Sequence, residues 1–137
     1  MKKWHGLILT LFLVCITPLL VSAGDFDGSI PLICAVVETI ECRENGNCKN
    51  GTADSINIPQ FLKVSFKSKT ITGKNAEGEV RTTKIENMEL SDGKLILQGT
   101  QTNKGWSMVI DEANGKMVLT ASGSQVGFVV FGACTPR

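Results

Sequence analysis

Histidine is almost missing and tyrosine is missing altogether: of 137 residues, one is His, none is Tyr and two are Trp. The single imidazole, His5, lies where Lys2 and Lys3 precede an apolar run over residues 7–21 that ends at Val21-Ser22-Ala23. A basic start, a short apolar middle and a small-x-small end mark a secretory leader, with cleavage expected after Ala23. The run is short for a span of about 20 apolar residues, contains Pro18 and has no second segment like it behind, so stable membrane insertion is not expected. Val14 stands before Cys15 where lipid attachment needs a small residue, so Cys15 leaves with the leader. The expected organisation is a signal peptide over residues 1–23 and a single secreted or periplasmic domain over residues 24–137.

That domain contains neither His nor Tyr. The usual general base near neutrality is an imidazole, and a nucleophilic thiolate needs a free Cys, so the two commonest routes to catalysis lack their groups. Carboxylate chemistry stays open through Asp25, Asp27, Glu38, Glu41, Asp54, Glu86, Asp111 and Glu112, but nothing in their spacing selects a pair at glycosidase separation. Asp25, Asp27 and Asp54 do not have the ligand spacing of a calcium loop. No C-x2-C pair occurs, which removes the usual zinc and thioredoxin-like patterns; no metal and no cofactor are expected. Lys2 and Lys3 leave with the leader, so the net charge of +1 falls to about −1, with no global pull toward nucleic acid. One Trp and no Tyr supply little for a sugar-stacking platform.

Four cysteines remain, Cys34, Cys42, Cys48 and Cys134, an even number that in an exported chain means two disulfides. Cys34 to Cys42 is disfavoured: eight residues cover about 12 Å as helix or 26 Å as strand, and "AVVETI" offers no Gly or Pro to reverse the chain. Cys34 to Cys48 requires that run to be helical. The favoured pattern is Cys42 to Cys48 around the Asn45-Gly46 turn, and Cys34 to Cys134 joining the start of the domain to its end. Asn50-Gly51-Thr52 fits a glycosylation acceptor but matters only in a eukaryotic secretory host.

From Pro59 onward, period-two alternation broken by turn signals replaces any helical stripe. In "FLKVSFKSK", Leu62, Val64 and Phe66 take one face while Lys63, Ser65, Lys67 and Lys69 take the other, an exposed row that needs no ligand. A two-residue turn at Asp92-Gly93 sets Leu90 against Leu95 and Met88 against Leu97. A two-residue turn at Asn114-Gly115 would set Ile110 against Leu119 and Met108 against Ala121, with Trp106 over Gly123. "GFVVFGAC" is apolar on both faces, as a central or barrel-closing strand is. "PLICAVVETIEC" reads as a buried strand or as a short helix begun by Pro31, with the strand preferred for its β-branched residues. The fold class is all-β: a small antiparallel meander or rolled β-barrel of six to eight strands, stapled by two disulfides, with residues 43–59 as its one long loop.

The Cys34-Ala35 start, Glu41-Cys42 with Cys48, "GT" followed by "NIPQF", "GWSMVID", "NGKM" and the ending "GFVVFGACT" resemble a family of small exported bacterial proteins of unknown function. The resemblance implies export and a common β fold, and carries no catalytic residue. In size, export and disulfides alone, the chain is also similar to the small periplasmic β-barrels that inhibit c-type lysozyme. Among functions, the first expectation is a non-catalytic protein-binding or inhibitor-like module acting on another exported or envelope protein. Its interaction loop would present Arg43, Glu44, Asn45, Asn47, Lys49 and Asn50. The alternative is a barrel carrying an apolar ligand, lined by Phe66, Trp106, Phe128 and Phe131, although in a barrel of this size aromatics more often fill the core. A carboxylate-based hydrolase ranks third.

Overall fold

The computed structural model describes residues 25–137, so the expected leader lies outside the described residues. The chain forms β1 (Leu32–Arg43), β2 (Cys48–Gly51), a 3-10 turn (Asp54–Ile56), β3 (Phe61–Ser65), β4 (Thr70–Lys74) and β5 (Val80–Lys84). Then follow β6 (Asn87–Ser91), β7 (Lys94–Gln101), β8 (Lys104–Asp111), β9 (Lys116–Ser122) and β10 (Val126–Pro136). Every pairing is antiparallel, in the order β5-β4-β3-β1-β10-β9-β8-β7-β6, with β2 attached beside β1. The sheet curls into a half-barrel. None of the described helices is long and apolar enough to cross a membrane.

Alternation decides which side chains face inward. Leu32, Cys34 and Val36 of β1 are buried, as are Leu62 and Val64 of β3, Leu95 and Leu97 of β7, and Met108 and Ile110 of β8. Each large aliphatic side chain taken out of water stabilises the fold by about 1.5–3 kcal/mol. The segment that could have been strand or helix is β1, in which Val36, Thr39 and Ile40 favour the extended chain. A bulge falls between Val36 and Glu38, leaving Val37 without a partner and 72% exposed. The final apolar run is β10, flanked by β1 and β9, with hydrogen bonds on both edges.

Both expected disulfides are present, and each joins residues directly opposite across an antiparallel pair. Cys34 faces Cys134 on β1 and β10, and Cys42 faces Cys48 on β1 and β2. The first is buried in the core. Such bonds imply an oxidising environment outside the reduced cytosol.

Ten strands form rather than six to eight, for two reasons. Residues 80–91 form one continuous run that changes partner at Ile85 and Glu86, pairing with β4 before the change and with β7 after it. The chain itself therefore ties the two ends of the sheet together. Residues 48–51 of the expected long loop instead fold back along β1 as β2, and the 3-10 turn orders much of the remainder. The Asp92-Gly93 register is as expected, with both residues at positive φ in a type I′ turn. The Asn114-Gly115 register is displaced by two residues: Ile110 pairs with Met117, Met108 with Leu119 and Trp106 with Ala121. The connection has four residues, 112–115, because Asp111 Oδ1 accepts the Ala113 N–H and Asn114 Oδ1 accepts the Lys116 N–H. A shift of two keeps each side chain on its face, so the apolar pattern alone could not expose the error.

Candidate functional site

One end of the half-barrel collects the β1–β2 tip, the 3-10 turn, the β4–β5 connection, and the β7–β8 and β9–β10 turns. At this end the ladder is incomplete. Above the crossing at Ile85, β5 and β7 are bridged largely by side chains: Thr83 Oγ1 donates to the Thr100 carbonyl at 3.4 Å and Gln101 Nε2 to the Thr82 carbonyl at 3.4 Å. Trp106 Nε1 donates to Thr83 Oγ1 at 3.1 Å, which satisfies the indole and fixes its plane. Trp106 lies across Gly99, its partner on β7; a Cβ there would stand 2.5 Å from Trp106 Cζ2.

Beneath this gap is a cavity of about 280 Å³. Its floor is apolar, made by Leu62, Ile71, Trp106, Leu119, Phe128 and Val130 from five different strands. One wall is the segment after β2, through Ile56, Ile58 and Pro59, and Pro59 packs directly over Gly73. Thr39 on β1 anchors that wall: it is fully buried and donates from Oγ1 to the Thr52 carbonyl at 3.1 Å, to which Ser55 Oγ also donates at 2.7 Å. The Cys42–Cys48 bridge holds β2 against β1 immediately before this anchor, so it supports the wall from outside.

The rim is polar and carries two cations, Arg81 and Lys104, together with Asn57, Gln101 and Thr102; no carboxylate lines the cavity. Arg81 Nη2 donates to Glu79 Oε2 at 3.1 Å, and Asn75 Nδ2 donates to the same oxygen at 3.0 Å and to Asn57 Oδ1 at 2.8 Å. Asn75 is itself buried, so this network fixes the β4–β5 end of the rim. Two rim residues hold left-handed backbone: Asn57 at φ 54° and Thr102 at φ 50°. For a β-branched residue that conformation costs about 1–2 kcal/mol, and strain of this kind gathers where a surface is shaped for contact.

Of the four aromatics expected to line an interior, the structure brings two together. Trp106 and Phe128 line the cavity. Phe66 belongs to the β3–β4 connection at the opposite end, packed against the core, and Phe131 points outward at 38% exposure. Phe128 and Phe131 are three apart on one strand and so occupy opposite faces. The expected loop residues Arg43, Glu44, Asn45, Asn47, Lys49 and Asn50 are exposed, but on a stapled hairpin rather than a free loop. Asn50 Nδ2 donates to Glu38 Oε1 at 3.1 Å, and Arg43 pairs with Glu41 at 2.7 Å. Ile56, Ile58, Ile71 and Arg81 were missed by sequence reasoning; the only signal was an unexplained pair of isoleucines inside an assumed loop.

Among the described residues, no cluster of three or more His, Cys, Asp or Glu could hold a metal ion. The two carboxyls held below their ordinary range lie away from the cavity. Asp111 is lowered by the hydrogen bond and charge of Lys94 and by the Ala113 N–H, and Asp27 by hydrogen bonds from Ser29. The cavity can therefore bury an apolar group and present positive charge at its mouth. Its lining offers no carboxylate for acid–base work. No family model matches the chain, and no curated protein is recognisably similar to it.

Proposed function

We propose that the protein is exported through a leader at residues 1–23 and acts outside the cytoplasm as a non-catalytic binding module, whose end cavity receives a small apolar ligand. The observation that carries this reading is the pre-formed cavity of about 280 Å³ with an apolar floor. Small-molecule sites are concave, mostly apolar and carry a few polar groups, and the mouth of a small barrel is a common place for one. The cavity opens to solvent at its polar rim, so an apolar ligand would gain by displacing water from the floor side chains. Native mass spectrometry of protein recovered from the exported compartment tests the reading. It predicts a bound mass that is lost on denaturation; bare protein, with no binding of added decanol, would reject it.

Protein recognition through the β1–β2 hairpin is the second reading. It is favoured by the projection of residues 43–50 as a rigid, disulfide-closed, exposed arm beside the cavity. Replacing residues 44–47 with Gly-Ser turn residues would abolish capture of a protein partner if this arm is the contact. The same change would leave ligand binding intact.

A further inference from the structure

The rim chemistry points to the kind of ligand, and this step rests on the cavity reading above. Ten residues of the lining carry apolar side chains, while the only charged groups are Arg81 and Lys104. Both cations stand at the mouth and neither is balanced by an acid within the cavity. Arg81 spends one guanidinium nitrogen on Glu79, which leaves its other donors unassigned to any carboxylate. Lys104 forms no ion pair among the described residues; its stem runs beside Gly123, its Cγ 3.5 Å from where a Cβ there would lie, and it is only half-exposed. Gln101, Thr102 and Asn57 add uncharged hydrogen-bonding groups around them.

We infer that the ligand is a single-chain amphiphile with an anionic head, a carboxylate or a phosphate monoester. Its tail occupies the cavity and its head sits between Lys104 and Arg81. Size bounds the tail: at about 30 Å³ per water-sized group, 280 Å³ shared between floor and rim holds at most roughly nine such groups, so the tail has no more than about eight to ten carbons. Charge sets the head. An alkyl ammonium would meet Lys104, unpaired among the described residues, beside an Arg81 already paired with Glu79, while a neutral alcohol would gain only the tail's burial. A head held by charge-assisted bonds at a half-exposed rim should bind about tenfold tighter than the matched alcohol, and should lose that margin as salt screens it.

Trp106 is the one Trp after residue 4 and lies on the cavity floor, so its emission reports occupancy. The experiment titrates the exported protein with decanoate, decyl phosphate, decanol and decylamine at low and high salt, in wild type, Lys104→Gln and Lys104→Arg. The expected result is that decanoate or decyl phosphate binds about tenfold tighter than decanol, with decylamine weakest. Lys104→Gln should remove most of that margin and Lys104→Arg should restore it; the two acids tell which head is preferred. Equal binding of anion and alcohol in wild type, or an unchanged margin in Lys104→Gln, would overturn the anionic-head inference while leaving the cavity reading in place. If none of the four binds, the cavity reading fails and this inference fails with it.

Discussion

Removing the two disulfides separately should cost very different amounts. Cys34 and Cys134 are 100 residues apart, whereas Cys42 and Cys48 are 6 apart. In the chain-entropy model a loop of that greater length stabilises the native state by about 4.7 kcal/mol, and the smaller ring by roughly 2 kcal/mol. The long bridge joins strands that are already paired from Leu32↔Pro136 to Arg43↔Val126, so the folded state keeps its ladder without the sulfur bond. The effect falls on the unfolded chain. Urea unfolding of Cys34→Ala/Cys134→Ala and of Cys42→Ser/Cys48→Ser should therefore differ by about 2.5 kcal/mol, with the larger loss from the first pair. The first variant should also show a steeper denaturant dependence, because its unfolded ensemble expands. Equal losses, or a larger loss from the hairpin pair, would refute the reasoning and place the stability in local structure near the cavity wall.

Further outcomes follow from single contacts. Gly99→Ala sets a Cβ against both the Lys84 carbonyl oxygen and the Trp106 ring and should destabilise by about 1–3 kcal/mol, with a change in Trp emission as the ring is displaced. Thr83→Val leaves the Trp106 N–H without its acceptor and should cost about 1–3 kcal/mol by the same unfolding assay, with the ring plane loosened in fluorescence anisotropy. Thr102→Gly relieves a left-handed β-branched residue and should raise the unfolding midpoint by an amount worth about 1 kcal/mol. Lys94 holds the Asp111 carboxyl below its ordinary value, so the stabilisation from this pair is present above about pH 4 and is lost as pH falls through the folded-state pKa. Asp111→Asn should lower stability at neutral pH and flatten its decline between about pH 5 and 2, read by thermal melts across that range.

The strand pattern and both disulfides were legible in the residues because each rests on a short-range rule. Leu62 and Val64 alternate with Lys63 and Ser65, and Asp92-Gly93 can adopt two positive φ angles in succession. The pairing of Cys34 with Cys134 followed from excluding the shorter spans. What stayed hidden depended on side-chain geometry or on contacts between distant elements. The bulge at Val37 has no Gly or Pro to announce it. A two-residue β8–β9 turn fits the apolar alternation equally well, but the hydrogen bonds of Asp111 and Asn114 lengthen the loop to four residues without disturbing the apolar face. Thr102 and Asn103 form a tight turn without Gly, so the only local turn signal is Asn103, weaker than the Asp-Gly pair at residues 92–93.

The cavity is the clearest case. Trp106 and Phe128 could be named as candidate lining because they are large and apolar, but Phe66 and Phe131 satisfy the same criterion. What separates the pairs is position in the closed sheet: strand parity turns Phe131 outward, and the β3–β4 connection carries Phe66 to the other end. The wall of Ile56 and Ile58 follows from the buried anchor at Thr39 and Thr52, thirteen residues apart. No local pattern encodes that contact.

Methyl-resolved NMR of the exported protein during titration with decanol tests the cavity directly, without reference to head-group charge. The account predicts progressive, saturable shifts at Ile58, Ile71, Leu119 and Val130, with Leu32 and Ile110 at the far end of the core unchanged. Shifts confined to the exposed Met88 and Leu90 of β6, or no saturable shift at the four lining residues, would contradict it.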